Sequence, residues 1–518
     1  MDFETEKLLR NTAKAIMAAM EPATPWDDLK DRIENFLLGL RHPVLTEPGR
    51  EVLDLSTSRY ALSTQYNKLL WHVWNDQTNL VRQITEIRKE TPGRMELRFQ
   101  KFGKGAPGTL VLAESRAAPE QMARRSQRTR YAQTLRRILG QLFPEWKVEE
   151  LSVEPDHAHS VSGRYARAVL RRGQQVWAVI GSGEQEDPAA ADGILTYGLI
   201  WLDWLRRREP ERVVTGLRIF VAANRAATIL RRIAWLDAEA ARFEVYEAGE
   251  EIRRCDPADA GNLKTSLGPA EPFQRTQIHP EGGPEWGRRI ELLSPDIQKQ
   301  TGGDGFCYWA VHGLPVARET SRGLVFGIGV SETPLTEDRF LEFDHLVHKL
   351  LQWRCAESPD RHHPFYRLWP ERWMQSRIVQ QIDRLGYELI PGKVYEQVPA
   401  LSGLERGIMD LLAIDVRGRL VVVELKASES IHLPLQALDY WMRVHWHHQR
   451  GEFERGRYFP EQRLNPSTPL LLLVSPALQI HPACETVLRY FSKTIEVVQI
   501  GLNENWRERW QVVFRSRG

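Results

Sequence analysis

Residues Gly407 to Tyr440, GIMDLLAIDVRGRLVVVELKASESIHLPLQALDY, decide how this chain is read. Two apolar runs, MDLLAIDV and RLVVVELKA, flank Val416-Arg417-Gly418, and their Val, Leu and Ile content predicts a hairpin of buried strands. A three-residue loop with Gly in the left-handed position is a standard hairpin closure. It pairs Asp415 with Arg419, and counting back along the ladder sets Asp410 opposite Glu424 with both side chains on one face. Lys426 shares that face. Two carboxylates and an ammonium inside an apolar sheet are costly to bury unless something neutralises them, and a divalent cation is the obvious candidate. Mg²⁺ prefers hard carboxylate oxygens and keeps several waters, which leaves the lysine free to hold or help deprotonate a water aimed at a phosphorus. The alternative is a plain Glu424–Lys426 salt bridge in an ordinary sheet.

Ten residues further on, Gln436 and Tyr440 stand at i and i+4 and so lie on one helix face. The array Asp410, Glu424-Leu425-Lys426 and Gln436-Ala-Leu-Asp-Tyr440 resembles the motif set of the PD-(D/E)XK nuclease superfamily, in particular its RecB-like and archaeal mismatch-endonuclease-like branches. The resemblance spans Leu368 to Gln499. It implies that Asp410 and Glu424 are metal ligands, that the backbone carbonyl of Leu425 is a further ligand, and that Lys426 activates water or stabilises charge. Gln436 and Tyr440 would orient the site or contact the phosphate backbone. The implied fold is a restriction-endonuclease-like mixed sheet flanked by helices. The implied cofactor is Mg²⁺ or Mn²⁺, and the implied activity is phosphodiester hydrolysis, as a nuclease and most readily a DNA endonuclease. The family also brings an upstream helix that often carries a glutamate. Here that helix is PERWMQSRIVQQIDRL, with Pro370 before its first turn. Glu371 stands at its very start and is the candidate for an additional ligand, whereas the position one turn later is Gln375. Met409 precedes Asp410 where the family has Pro.

An internal repeat supports the same unit twice. RYARAVLRRGQQVWAVIGSGE, from Arg164, follows the layout of the hairpin without a gap when Gly173 is matched to Gly418. YGLIWLDWLR then resembles LQALDYWMR, aligning Asp203-Trp204 with Asp439-Tyr440, and LRIFVAANRAATILRRI resembles LLLLVSPALQIHPACETVLRYF. In the first copy Tyr165 stands for Asp410, Val179 for Glu424, Gly181 for Lys426 and Ile200 for Gln436, so its side chains hold no metal. The first copy is therefore expected to be a pseudo-nuclease that docks on the live one or holds substrate, as an internal pseudo-dimer; a homodimer is the other arrangement.

The chain as a whole is expected to be an α/β multidomain protein. Residues 1–115 read as a small β-rich module with helices, 116–255 as the degenerate copy, 256–288 as a Pro/Gly-rich linker, 289–355 as a small α/β insertion and 356–518 as the nuclease domain. In the first module Trp71, Trp74, Lys101 and Lys104 form either a stacking and phosphate surface or, for the tryptophans, core. The run containing Arg124, Arg125, Arg128 and Arg130 either tracks a nucleic-acid backbone or is the solvated side of a helix packed through Tyr131, Leu135, Ile138 and Leu139. A net charge of +2 gives no separate argument for nucleic acid.

Cys255, Cys307, Cys355 and Cys484 are spaced for neither metal nor disulfides, which suits a reducing cytoplasm. No apolar run approaches membrane length, and MDFETEKLLRN lacks the regions of a signal peptide, so no membrane partner is expected. Gly302-Gly303-Asp304-Gly305 lacks the Lys-Ser/Thr of a phosphate loop and reads as a turn. His445, His447 and His448 have no cysteine or carboxylate completing a metal set, and no serine has a placed base. Two rivals to a DNA nuclease remain: an RNA nuclease, and a nucleic-acid-binding or scaffolding protein that keeps the fold with weak or no turnover.

Overall fold

The computed structural model describes residues 25–518 apart from 48–51, 56–57, 66–67, 75–78, 101–106, 115–117, 157–158, 260–262, 264, 268–282, 302–305, 330 and 403–404. The chain is a mixed α/β multidomain protein whose described residues form four sheets. It divides into two compact units, Met1–Met122 and Ala123–Gly518.

In the first unit, the helix Pro25–Leu38 places Asp27 and Asp28 in its first turn, where carboxylates complement the helix dipole. Seven antiparallel strands follow, in the spatial order Leu53–Asp54, Pro43–Thr46, Gly108–Glu114, Arg94–Gln100, Asn79–Thr91, Lys68–Trp74 and Arg59–Gln65. Among the described residues the two outer strands do not pair, so the sheet is open and not a barrel. Strand Lys68–Trp74 alternates buried and half-buried positions. That alternation takes Trp71 into the core at 1% exposure, while Trp74 stacks on His72 at 4.2 Å. Lys101 and Lys104 lie outside the described residues.

The second unit contains the repeat, and its two copies share one topology. In the first, the helix Ala118–Leu142 precedes strands Lys147–Ser152, Ala166–Arg172 and Gln175–Gly181; helix Pro188–Arg208, strand Val213–Ala222 and helix Ala227–Ile233 follow, then strands Arg242–Ala248 and Ile252–Cys255. In the second, helix Pro370–Val379 precedes strands Leu389–Ser402, Glu405–Asp415 and Leu420–Leu425. Helix Leu433–Gln449, strand Leu470–Pro476 and helix Ala483–Leu488 follow, then strands Val497–Leu502 and Val512–Arg517. Both six-stranded sheets run in sequence order, with pairings antiparallel, antiparallel, parallel, parallel and antiparallel. The buried, nearly all-apolar strands Leu420–Leu425 and Leu470–Pro476 are what a parallel centre covered on both faces requires.

The gapless match of the two hairpins needs correction. In the second copy Leu411 pairs with Val423 and Ile414 with Leu420, leaving a three-residue loop closed by Asp415 N–H to the Arg419 carbonyl at 3.1 Å. In the first copy Arg172 pairs directly with Gln175, leaving two loop residues. One residue of loop length reverses the facing of the strand that follows. Val179 packs beneath the helix Ala118–Leu142, and a Cβ on Gly181 would press on Tyr131 of that helix. Val422, by contrast, packs on the helix Leu433–Gln449, and alternation carries Glu424 to that face. Ala178 and Ile180 therefore occupy the face that Glu424 takes in the second copy; both are apolar, so the first copy still offers no acid.

The helices of both copies meet in one core. Leu236 and Phe491 form an antiparallel bridge between them, each just past a corresponding helix. Around it two ion pairs run in exchanged roles: Arg232 of the first copy with Asp439 of the second, and Arg489 of the second with Asp203 of the first.

Residues 283–353 form their own layer, in which five antiparallel strands between Ile297 and Pro334 pair in sequence order, with helices Gly283–Glu291 and Phe340–Trp353 packed against them. The first of these helices starts inside the stretch expected to be linker. That stretch also engages the second copy, with Thr265 Oγ1 at 3.0 Å from His447 Nε2. Fully buried Arg354 ties this layer to the second copy by donating to the carbonyls of His312, Phe365, Leu368 and Trp369.

The Gly418 turn is testable. Its φ is +81°, and an added Cβ would lie 2.0 Å from the Arg463 carbonyl oxygen. Gly418→Ala is expected to lower the unfolding free energy by about 1–3 kcal/mol or more in urea denaturation; an unchanged midpoint would mean the turn does not fix this hairpin.

Candidate functional site

Asp410 and Glu424 meet because the register does: continuing the pairs Leu412–Val422 and Leu411–Val423 by one step sets the two acids opposite each other. Asp410 Oδ2 accepts the Leu425 N–H at 2.9 Å. Lys426 Nζ donates to Glu424 Oε1 at 3.1 Å. Glu424 is only 2% exposed, and its buried Oε2 receives no N–H or hydroxyl donor; the group it meets is the Asp410 carboxyl, to which it bonds only when the pair holds a proton. Two carboxyls facing each other under cover need a shared proton or a cation between them.

The electrostatics follow from this crowding. Burial first, and then the neighbouring Asp410 charge, push the Glu424 carboxyl up to about 8. Burial likewise raises Asp410, against the Leu425 N–H and the Lys426 charge. For Lys426, burial disfavours the ammonium, but Glu424 and Asp410 outweigh it and its pKa rises. The acids titrate as a pair in which one carries a proton while the other stays ionised beside Lys426.

Glu371 joins the edge of this cluster. It sits in the first turn of the helix Pro370–Val379, accepts the Ala427 N–H at 3.4 Å, and its charge acts on both Asp410 and Lys426. Gln375, one turn later, is buried and donates instead to Glu396 at 2.8 Å. Among the described residues no group of three His, Cys, Asp or Glu side chains is arranged to hold a metal ion. The residues that could hold a hard divalent cation are the facing Asp410 and Glu424 carboxyls, a ligand count at which Mg²⁺ keeps several waters.

Tyr440 and Gln436 lie on the helix Leu433–Gln449 as expected. Burial, then the charges of Glu424 and Asp410, raise the Tyr440 pKa. Gln436 is exposed one turn earlier.

Of the basic run, Arg128 is engaged with Glu186 at 2.8 Å, Arg130 is exposed, and the side chains of Arg124 and Arg125 lie outside the described residues. Ala132, Leu135, Ile138 and Leu139 pack in the core, as the helical reading of that run requires.

Two residues escaped the sequence. Arg443, one turn beyond Tyr440, holds its guanidinium 5.9 Å from the Tyr440 ring with a buried, unpartnered Nε. Only its i+3 spacing from that tyrosine could have suggested it. Glu396 pairs across the sheet with Leu411, next to Asp410, and accepts from Gln375 and, at 3.1 and 3.2 Å, from Gln300 of the inserted layer. Burial raises its pKa against those two amides. Gln300 lies far away in sequence, so no local pattern signals the pairing.

No protein-family model matches the chain, and no curated protein matches it.

The raised Glu424 carboxyl has a definite sign. In the cation-free protein its contribution to stability is full below the ordinary carboxylate range, where folded and unfolded states both hold the proton. It is lost as pH rises from that range to about 8, because the unfolded chain releases the proton first. Glu424→Gln should thus raise the melting temperature above wild type at pH 8 but not near pH 4. An equal difference at both pH values would contradict the buried-acid assignment.

Proposed function

We propose that the second copy is a divalent-cation-dependent nuclease that hydrolyses phosphodiester bonds, with DNA the preferred substrate. One observation carries this reading: two carboxyls, buried Glu424 and half-buried Asp410, face each other across a sheet with a lysine on one of their oxygens. The Glu424–Lys426 salt bridge exists, yet one ammonium neutralises only one of two facing carboxyls, and the pair must otherwise keep a proton. A cation between them replaces that proton. The element order, a helix, a three-strand meander, a crossover helix and a parallel strand, is also the one that a restriction-endonuclease-like reading expects.

In this mechanism Asp410 and Glu424 would hold Mg²⁺ or Mn²⁺, with the Leu425 carbonyl and Glu371 as further ligands suggested by the motif resemblance. A bound dication supplies charge stabilisation for the phosphate and acidity for water. The chain's own groups do the positioning. The Leu425 amide fixes Asp410, and the Glu424 carboxylate fixes Lys426. Lys426, kept as an ammonium by the two acids, would hold a water for attack on phosphorus and stabilise charge on the phosphate. Tyr440 keeps an uncharged hydroxyl under the charges of the acids, able to donate to a phosphate oxygen. Attack forms the new P–O bond and breaks the bond to the leaving sugar oxygen, which takes up a proton.

A second reading, a nucleic-acid-binding protein with weak or no turnover, is favoured by the lack of a three-acid group among the described residues. Cleavage of labelled single- and double-stranded DNA and RNA, with Mg²⁺ or Mn²⁺, separates these. Glu424→Ala and Lys426→Ala are each expected to lose at least about a hundredfold in rate. Cutting that survives in both variants would overturn the assignment. RNA cleaved in preference to DNA would change the substrate, and a wild type that binds without cutting would establish the second reading.

A further inference from the structure

The helix Leu433–Gln449 carries Tyr440, whose hydroxyl feels the charges of Glu424 and Asp410, and it is held by the second copy's own sheet and loops and also by groups of the first copy. At its start His432 hydrogen-bonds with Thr196 at 3.1 Å. Midway, Asp439, the residue before Tyr440, receives both arms of Arg232, Nε at 3.0 Å and an NH2 group at 2.7 Å. Beyond it, Trp441 meets Trp235 edge-on at 4.9 Å. Arg232 is only 5% exposed, and its remaining nitrogen donates to the Asp192 carbonyl.

A bidentate guanidinium–carboxylate pair shielded from water fixes angle as well as distance, because two parallel hydrogen bonds must both be kept. Contacts at the start, middle and far side of Tyr440 leave the helix little freedom to roll. The first copy has no acids of its own at the corresponding face, yet it provides each of these anchors. We infer that the degenerate copy is a working part of the live site, in which Arg232 is a positioning residue that sets, through Asp439, where Tyr440 stands relative to Asp410 and Glu424. The inference rests on the hydrolase reading of the second copy.

The molecule contains its own control. Arg489 and Asp203, at 3.3 Å, join the same two copies with the roles exchanged. Trp204 follows Asp203 where Tyr440 follows Asp439, and the apolar Ala178 and Ile180 hold the face that Glu424 takes in the live copy. The two pairs differ in burial, Arg489 being exposed and Arg232 buried, so the signal from position 440, and not the size of a docking loss, separates positioning from docking.

The test combines cleavage kinetics with fluorine NMR of a fluorotyrosine placed at position 440, in full-length Arg232→Gln and Arg489→Gln. Arg232→Gln is expected to lower kcat by about ten- to a hundredfold with KM little changed, because a misplaced group acts on the transition state. It should also move the fluorine resonance. Arg489→Gln should leave both readouts as in wild type, and Arg232→Lys, which keeps the charge but not the fork, should recover part of kcat. Equal losses in the two glutamine variants would reduce the effect to docking and overturn the inference, as would an unmoved resonance in Arg232→Gln. If Arg232→Gln does not fold, Arg232→Lys serves with the same readouts. If wild type cleaves nothing, the hydrolase reading fails separately, and the resonance alone decides: a shift in Arg232→Gln and none in Arg489→Gln upholds the positioning role.

Discussion

The length of one hairpin loop governs which side of the second copy's sheet carries the acid pair. Three residues, Val416 to Gly418, separate the paired strands there, with Asp415 Oδ1 accepting the N–H groups of Arg417 and Arg419. Side chains alternate along a strand, so this count sends Glu424 to the face shared with Val422 and, across the ladder, brings Asp410 opposite it. The same fold with a two-residue loop, in the first copy, turns Val179 toward a helix and fills the opposite face with Ala178 and Ile180. That copy differs from the second in both the acids and the register.

Once the acids are opposed, burial does the rest. A carboxylate in an apolar sheet must gain a proton, a partner or a cation. Glu396 and Glu424 lie on strands either side of Glu405–Asp415 and resolve this in different ways. Glu396 is met by two glutamine amides, one of them from the inserted layer, and so is satisfied as it stands. Glu424 has Lys426 on one oxygen and faces a second carboxyl, Asp410. The contrast separates a buried acid met by neutral amides from one set against another acid.

The degenerate copy and the inserted layer both bear on this site through its supports. The first copy grips the helix that carries Tyr440, by a buried two-armed ion pair and an aromatic contact. The inserted layer meets the helix that carries Glu371. There Arg354 gathers backbone carbonyls on both sides, and Gly313 lies so close to Arg372 that a Cβ would stand 2.1 Å from its carbonyl oxygen. Each of the two helices that border the acid pair is thus held from outside the six-stranded sheet.

Much of this was legible in the chain itself. The apolar runs, the glycine turn and the order of Asp410, Glu424, Lys426 and Tyr440 determined the second copy's hairpin and the helix after it, because strand pairing and helix spacing are local consequences of residue order. The repeat was legible for the same reason. Its register in the first copy was not, since matching glycines says nothing about how many loop residues lie between the paired strands, and one residue reverses every side chain. Glu396 with Gln300, Arg232 with Asp439, and Arg354 with its carbonyls were hidden because their partners are brought together only when separate layers pack. The sequence determined which residues could do chemistry. Only the tertiary structure decided which buried charges gained a partner from another layer, because satisfaction of a polar atom depends on every element that closes over it.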